Sequence, residues 1–184
     1  MATTSLALAT GLAPDYGVRY HQFVKKLDLP PGFEAPIRLT YQDVVAVALT
    51  RAHLQDDVRG INASIELIQA TRGGGWPTEP VTDDFDFVDL VWHEQEFRER
   101  TSFSYAVYDD RGEYLGCCYV YPMGRRTELT EKLVDHDVDV SWWVTPVAYE
   151  RGYYDKLYAA LRGWLATEFP FTHPYYSNVA IPPG

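Results

Sequence analysis

The sequence predicts one α/β domain of the α+β type, and three observations support this fold class. The chain has 184 residues, of which 46% are hydrophobic, enough to bury a full core in a single domain. Residues 103–121 read as a hairpin, because apolar side chains alternate on both sides of an Asp-Asp-Arg-Gly turn. Residues 138–168 read as a buried strand, a turn with one glycine and a long amphipathic helix. We therefore divide the chain into an N-terminal arm, residues 1–36, and one domain, residues 37–184.

The first elements of the domain are predicted from short apolar runs. Residues 37–40 are compatible with a short strand. From Thr40, which suits a helix N-cap, the apolar spacing predicts a helix through residues 44–54. Gly60 is expected to interrupt this helix. A second helix then ends at glycines 73–75, which favour a hinge or a helix C-terminus over a phosphate-binding loop.

The middle of the chain carries the clearest local signals. Thr82, followed by two aspartates, is typical of a helix N-terminus. The second strand of the hairpin, residues 114–121, has apolar side chains on both faces, which places it centrally in the sheet. Gly116 within this strand indicates a bulge or the close approach of another backbone. The strand 138–144 follows, and residues 175–181 alternate as a last strand.

Composition and charge exclude several classes of function. The formal net charge of −10 argues against nucleic-acid binding, since phosphate contacts need clustered lysines and arginines. No apolar run approaches the length of a membrane helix, and the N-terminus lacks the basic region of a signal peptide. The only cysteines, Cys117 and Cys118, are adjacent in a strand and point to opposite sides, so they are poorly placed to form a disulfide. We therefore expect a cytoplasmic protein without a membrane partner.

Two groups of potential metal ligands do not have the spacing of a metal site. His93 and Glu94, followed by Glu96, lack the second histidine of a zinc-binding helix. Residues 135–137, Asp-His-Asp, cannot easily converge on one ion, because neighbouring side chains of an extended chain point apart. We therefore assign no metal ligand.

The order of hairpin, central strand, Val-x-Pro turn, helix and last strand resembles the core of the GNAT N-acetyltransferase superfamily over about Tyr41 to Ile181. The motif of that family, Q/R-x-x-G-x-G/A followed by a leucine, is half kept. If Leu157 takes the leucine position, Gly152 matches the first glycine. Tyr149 then stands where Gln or Arg is usual, and Tyr154 where Gly or Ala is usual. The chain also resembles an uncharacterised GNAT-like subset with a degenerate pyrophosphate loop, through Trp76-Pro77, the segment His93 to Phe97, and the ending near Trp164 and Pro170-Phe171.

The resemblance implies a mixed, mostly antiparallel central sheet flanked by helices and shortened at the C-terminus. It also implies acetyl-CoA as a cosubstrate, lying between two splayed strands with its pyrophosphate on backbone amides at the start of the following helix. The implied cofactor-binding residues are Trp143, Val144, Thr145, Arg151, Gly152, Tyr153, Tyr154 and Asp155. The Tyr154 side chain either fills the space beside the pyrophosphate or points into the core. Its spacing to Leu157 modestly favours the core.

The resemblance further implies an acyl-CoA-dependent N-acyltransferase, in which an acceptor amine attacks the thioester directly. Amides of residues 143–145 would polarise the thioester carbonyl. Asp139 or Glu128 would accept the proton of the amine, and Tyr175 or Tyr176 would protonate the thiolate. The expected acceptor is a small-molecule amine or a peptide, and the acidic chain suits a cationic one.

Two other functions stay open at this point. The departures at Tyr149 and Tyr154 favour a GNAT-fold binding or regulatory module that has lost catalysis. The other alternative is a general α+β ligand-binding domain with an aromatic pocket and no CoA. In the family another helix and two strands follow the last strand found here. The side of the acceptor-binding site that these elements form is then absent, or comes from the N-terminal arm or from a second subunit in a homodimer.

Overall fold

The computed structural model describes residues 24–183 of the chain, so most of the predicted N-terminal arm lies outside the described residues. The six strands are β1 (Arg38–Tyr41), β2 (Val44–Ala48), β3 (Phe103–Asp109), β4 (Tyr114–Pro122), β5 (Val138–Val144) and β6 (Pro174–Tyr176). The helices are α1 (Leu54–Thr71), α2 (Asp83–Glu99), α3 (Pro146–Glu150) and α4 (Tyr153–Thr167), and a 3-10 turn, Arg51–His53, precedes α1. None of the helices described has the length and apolar character needed to cross a membrane.

One mixed sheet forms the centre of the domain, with its strands in the order β1-β2-β3-β4-β5-β6. Each neighbouring pair is antiparallel except β5 and β6, which run parallel. The expected mixed, mostly antiparallel sheet flanked by helices is therefore confirmed.

Helix α4 covers one face of the sheet. Its apolar side chains recur at helical spacing, and Leu157, Leu161 and Leu165 are all buried. They pack in one cluster with Val140 and Trp142 of β5. Burying a leucine side chain contributes roughly 1.5–3 kcal/mol, so this face supplies a large part of the folding free energy.

Helices α1 and α2 cover the opposite face. Gly60 lets α1 approach β4 closely, because a Cβ atom at this position would lie 2.5 Å from Cε1 of Tyr114. The expected interruption at Gly60 is wrong: α1 is continuous from Leu54 to Thr71. Packing against the sheet outweighs the cost of about 1 kcal/mol that a glycine brings to a helix.

The helix predicted from Thr40 through residues 44–54 is also wrong over most of its length. Thr40 lies in β1, and Val44–Ala48 forms β2, which pairs with β1 on one side and β3 on the other. Gln42, at a φ of 52°, allows the tight turn between β1 and β2. The run Val-Val-Ala-Val-Ala is short and rich in valine, which suits a half-buried strand once neighbouring strands are present.

The predicted hairpin and helix start are confirmed. Strands β3 and β4 pair in antiparallel register around the turn at residues 109–112. The Thr82 side chain accepts a hydrogen bond from the Phe85 N–H and caps α2. The register shifts beside Gly116, where a Cβ atom would lie 2.1 Å from the Trp143 carbonyl oxygen. Gly116 therefore marks both a bulge and a close backbone approach.

The last part of the chain differs from the prediction in two ways. Strand β6 ends at Tyr176 rather than near residue 181, because the following residues turn away from β5. A five-residue helix, α3, lies between β5 and α4, with Thr145 as its N-cap and Pro146 in its first turn. The strand predicted over residues 138–144 matches β5.

Candidate functional site

Strands β5 and β6 separate soon after they meet. They pair over only three residues of each strand, and the Ser177 N–H then donates to the Val140 carbonyl at 2.9 Å. Further along, the Ala180 N–H donates instead to the Thr71 carbonyl at the end of α1, at 3.0 Å. The two segments therefore enclose a wedge, which we define as the space between residues 140–144 of β5 and residues 177–181.

Strand geometry decides which backbone groups of β5 face the wedge. The Thr145 N–H donates to the Leu115 carbonyl at 2.7 Å, and Trp143 pairs with Cys117. Peptide groups of an extended chain point alternately to its two sides, so Trp143 and Thr145 are turned towards β4. Of the three residues expected to polarise a thioester carbonyl, only Val144 directs its amide to the wedge.

The side chain of Asn178 occupies the inner part of the wedge. Its Oδ1 accepts from the Trp142 N–H at 3.1 Å, and its Nδ2 donates to the Trp142 carbonyl at 2.9 Å. These two bonds are the ones that a peptide group of another strand would make with Trp142. Asn178 is buried, and sequence reasoning missed it because a lone polar residue after a strand has no periodic signal.

The side chain of Tyr154 lies next to Asn178. Its hydroxyl donates to the Ala180 carbonyl at 2.6 Å and accepts from Asn178 Nδ2 at 2.7 Å. Its ring stacks obliquely 5.2 Å from Trp142, and burial raises the pKa of the hydroxyl to about 12. Tyr154 therefore points into the α4 core, which is the second of the two alternatives drawn from the sequence, and its hydroxyl reaches residues 177–181 across the wedge.

The start of α4 presents main-chain donors. Gly152 has a φ of 78°, and a Cβ atom there would meet nothing within 4 Å. The first helical hydrogen bond runs from the Lys156 N–H to the Gly152 carbonyl at 3.2 Å. The amides of Tyr153, Tyr154 and Asp155 precede this bond and therefore have no acceptor within α4. Free amides at a helix N-terminus are a common anion-binding arrangement.

The side chains of Arg151 and Tyr153 point away from these donors. The Arg151 guanidinium pairs with Glu113 at 2.6 Å and Asp109 at 3.3 Å, next to the β3–β4 turn. The Tyr153 hydroxyl donates to Asp43 at 2.8 Å. Both side chains fasten α4 to the sheet, so their contribution to a cofactor site would come from the backbone.

Among the candidate catalytic residues, the structure brings Asp139 and Tyr175 together. They lie directly opposite each other on β5 and β6, so both point to the α1/α2 face. Asp139 is fully buried; its Oδ2 accepts from the Thr127 N–H at 3.1 Å, and its Oδ1 has no partner in residues 24–183.

The other two candidates lie elsewhere. Glu128 is exposed in the loop before β5. Tyr176 points to the α4 face, where its ring lies 5.2 Å from that of Tyr158, and burial raises the pKa of its hydroxyl to about 12. Neither side chain shares the surroundings of Asp139.

A cavity of about 250 Å³ opens on the α1/α2 face, and we call it the α1/α2 pocket. Its walls include Arg72, Trp76, Phe85, His93, Tyr119 and Tyr121. Tyr121 pairs with Asp139 across β4 and β5, so the pocket and Asp139 share one face of the sheet. Sequence reasoning missed the pocket; the period-two spacing of Tyr119 and Tyr121 opposite Ser141 and Asp139 is the signal that indicates it.

The charges beside this pocket are mostly paired. Glu96 binds Arg125 at 2.7 Å and lies 3.5 Å from His93, while Asp89 lies 3.3 Å from His93 on its other side. Burial opposes protonation of His93, but these two carboxylates outweigh it and raise the pKa of His93 to about 9. Burial likewise opposes ionisation of Glu96, yet hydrogen bonds from His93 and Arg125 lower its pKa to about 2.

Comparison with known proteins identifies the fold. No protein-family model and no curated protein sequence matches the chain. Several solved structures are similar to it. A ribosomal-protein-S5-alanine acetyltransferase from Vibrio fischeri has a TM-score of 0.54 at 8% identity, and the match covers 71% of this chain and 67% of that one.

Two other structures give the same result. RimL, a ribosomal L7/L12 alpha-N-protein acetyltransferase in complex with coenzyme A, has a TM-score of 0.53 at 10% identity, covering 73% of this chain and 70% of that one. An acetyltransferase from Salmonella typhimurium that modifies the N-terminal serine of L7/L12 has a TM-score of 0.52 at 9% identity, with coverages of 73% and 70%. The chain therefore has the fold of the GNAT acetyltransferases, as its half-kept glycine motif indicates.

Proposed function

We propose that the protein is an acyl-CoA-dependent N-acyltransferase that transfers an acetyl group to an amine. One observation carries the proposal. The parallel strands β5 and β6 diverge beside α4, which begins directly after Gly152, and the first three amides of α4 precede its first helical hydrogen bond. The acetyltransferase fold supports it, and one structure with that fold is a complex with coenzyme A.

The main chain offers the contacts for the donor. The amides of Tyr153, Tyr154 and Asp155 would hold the pyrophosphate, and the open space at Gly152 lets it approach the backbone. The pantetheine arm contains amide groups, so it can make with Trp142 the bonds that Asn178 now makes. Acetyl-CoA would therefore enter by displacing the Asn178 carboxamide and moving the Tyr154 hydroxyl.

The chemical step would use the α1/α2 face. The acceptor nitrogen attacks the thioester carbon, the carbon–sulfur bond breaks, and the Val144 N–H stabilises the charge that develops on the oxygen. Asp139, directly or through water, takes the proton that the amine loses, and Tyr175 gives a proton to the thiolate. Glu128 and Tyr176 have no part in this scheme, because neither shares the surroundings of Asp139.

A small-molecule amine or a peptide as acceptor, a homodimer and a cytoplasmic location stay predictions. The non-catalytic binding module is the second candidate, and one observation favours it. The Asn178 side chain already makes hydrogen bonds with the N–H and the carbonyl of Trp142.

Thermal unfolding with acetyl-CoA tests the donor site. A ligand at about 100 times its dissociation constant adds about 2.7 kcal/mol, or roughly 2–4 °C for a domain of this size. We expect this shift in the wild type and tighter binding in Asn178→Ala, since the displaced side chain is then missing. Asn62→Ala, which lies outside the wedge and removes a contact with Val81, is the matched control. Absence of any shift in melting temperature at millimolar acetyl-CoA, in both the wild type and Asn178→Ala, would refute the proposal.

Release of free thiol separates the two candidates. Incubation of acetyl-CoA with a panel of amines should release coenzyme A in the presence of the wild type and much more slowly with Asp139→Asn. Tight acetyl-CoA binding without thiol release from any amine would favour the binding module.

A further inference from the structure

The α1/α2 pocket contains one cation that has no counter-ion among residues 24–183. Arg72 caps the end of α1 and is buried, with only 8% of its surface exposed. Its Nε donates to Ser141 Oγ at 3.2 Å, and its guanidinium lies over the Tyr119 ring, 4.4 Å from the centroid. No carboxylate of residues 24–183 forms an ion pair with it.

The other charges at the pocket balance one another. Arg125 and His93 face Glu96 and Asp89, two positive groups against two negative ones. Asp57, Asp86, Arg126 and Asp139 lie deeper on the same face and do not line the pocket. Among the charged side chains of the pocket wall, Arg72 is therefore the one that forms no ion pair within residues 24–183, although the chain as a whole carries −10.

A buried charge without a partner is costly. Removing a cation from water is offset only when a counter-charge or a full set of hydrogen bonds replaces the lost hydration. The Nη groups of Arg72 make no hydrogen bond to residues 24–183, and Arg72 lines the cavity. A guanidinium in this position has the fork of donors that binds a carboxylate at two points.

The rest of the wall indicates what the anion is attached to. Trp76, Phe85, Tyr119 and Tyr121 surround the cavity with aromatic rings. The volume of about 250 Å³ suits a group of ring size rather than a large ligand. A single guanidinium without an ion pair in residues 24–183 matches a monoanion such as a carboxylate better than a phosphate dianion.

We infer that the α1/α2 pocket binds a small carboxylate with an apolar or aromatic body, and that Arg72 pairs with its carboxylate group. Since Asp139 lies on the same face of the sheet, the acceptor amine would belong to the same molecule as this carboxylate, which makes the acceptor an amino carboxylate. This second part rests on the proposed function, whereas carboxylate binding does not.

Calorimetric titration without CoA tests the pocket, with benzoate as the probe. The wild type should bind benzoate, and neither benzamide nor benzylamine should compete with it. Arg72→Gln should weaken benzoate binding by about tenfold or more, because the charged hydrogen bonds are lost. Arg111→Gln changes an exposed arginine of the β3–β4 turn and should leave the affinity unchanged.

A second pair of variants keeps the test valid if Arg72→Gln does not fold. Phe85 lines the pocket and is 58% exposed, so Phe85→Ala should fold and weaken benzoate binding several-fold. Phe87→Ala, on the same helix but not part of the pocket wall, should not change it. The inference is overturned if the wild type does not bind benzoate, if Arg72→Gln or Phe85→Ala binds it as tightly as the wild type, or if inorganic phosphate binds more tightly.

A separate measurement tests whether the acceptor is an amino carboxylate. With acetyl-CoA present, thiol release should be at least about tenfold faster in kcat/KM with phenylalanine than with 2-phenylethylamine, which lacks the carboxylate. Equal rates would overturn the amino-carboxylate acceptor and leave benzoate binding standing. Absence of thiol release from every amine would instead count against the proposed function.

Discussion

The two faces of the central sheet differ in chemistry although the same strands build both. Trp142 and Trp143 are adjacent in β5, and both are fully buried. Trp142 points to the α4 face, among leucines and other rings, and its Nε1 has no partner in residues 24–183. Trp143 points to the α1/α2 face, where its Nε1 donates to the Tyr119 hydroxyl at 3.0 Å.

The difference indicates how the two faces divide stability and function. The α4 face is apolar almost throughout, which maximises the free energy gained from burial. The α1/α2 face buries Asp57, Asp86, His93, Asp139 and Ser141, polar groups that lower stability unless they are paired. Perturbed, buried ionisable groups beside a cavity are typical of functional sites. Variants of the two faces test this contrast.

The largest effect is expected from a cavity in the α4 face. Trp142→Ala should lower the free energy of unfolding by about 3–5 kcal/mol, because the ring is fully buried and its neighbours cannot fill the space. Denaturant titration at equilibrium measures this loss. Trp92→Ala, which removes a ring that is 59% exposed on α2, is the control and should change stability little. A loss below 1 kcal/mol at Trp142 would contradict the assignment of this face as the main source of stability.

A smaller effect of opposite sign is expected on the α1/α2 face. Burial, followed by the charge of Asp57, raises the pKa of Asp86 to about 7. An aspartate in the unfolded chain titrates near ~4, so the folded protein binds more protons between about pH 4 and 7. The contribution of Asp86 is therefore favourable at low pH and is lost as the pH rises through 7.

Asp86→Asn imitates the protonated carboxyl and removes this dependence. We expect the variant to be about 1–3 kcal/mol more stable than the wild type above pH 7 and close to it near pH 4. Unfolding titrations across this pH range measure the difference. Asp84→Asn, on the exposed side of α2, should follow the wild type at every pH. A wild-type advantage above pH 7 would show that the buried Asp86 carboxylate has a stabilising partner.

The smallest effect comes from the two tryptophans themselves. Trp143→Phe loses the hydrogen bond to Tyr119, whereas Trp142→Phe loses no hydrogen bond. Trp143→Phe should therefore be less stable than Trp142→Phe by about 0.5–1.5 kcal/mol in the same denaturant titration. Equal losses would indicate that the polarity of the α1/α2 face has no energetic consequence at this position.

Much of the fold could be predicted because its periodic signals are strong. The alternation in residues 103–121 and the helical spacing from Tyr153 onwards fix β3, β4 and α4 with nearly correct ends. Val44–Ala48 could not be assigned in the same way, because a five-residue apolar run fits a helix or a strand equally well. Its pairing with β3, which lies far along the chain, decides the matter.

The candidate site was less accessible to sequence reasoning. Asn178 acts through a side chain that takes the place of a peptide group, and no residue pattern predicts such a substitution. The α1/α2 pocket is built by α1, α2 and β4, so Arg72, His93 and Tyr119 meet only after folding. The glycine motif, in contrast, placed Gly152 directly before α4 once Leu157 was taken as its leucine.

Hydrogen–deuterium exchange with and without acetyl-CoA tests the donor wedge most directly. The account predicts slower amide exchange in peptides that cover Trp142–Thr145 and Gly152–Lys156, since acetyl-CoA would bind the amides of Val144 and of Tyr153 to Asp155. Peptides from the β3–β4 turn, residues 109–112, should exchange at an unchanged rate. Protection of the turn alone, or unchanged exchange at both segments with millimolar acetyl-CoA, would contradict an acyl-donor site between β5 and residues 177–181.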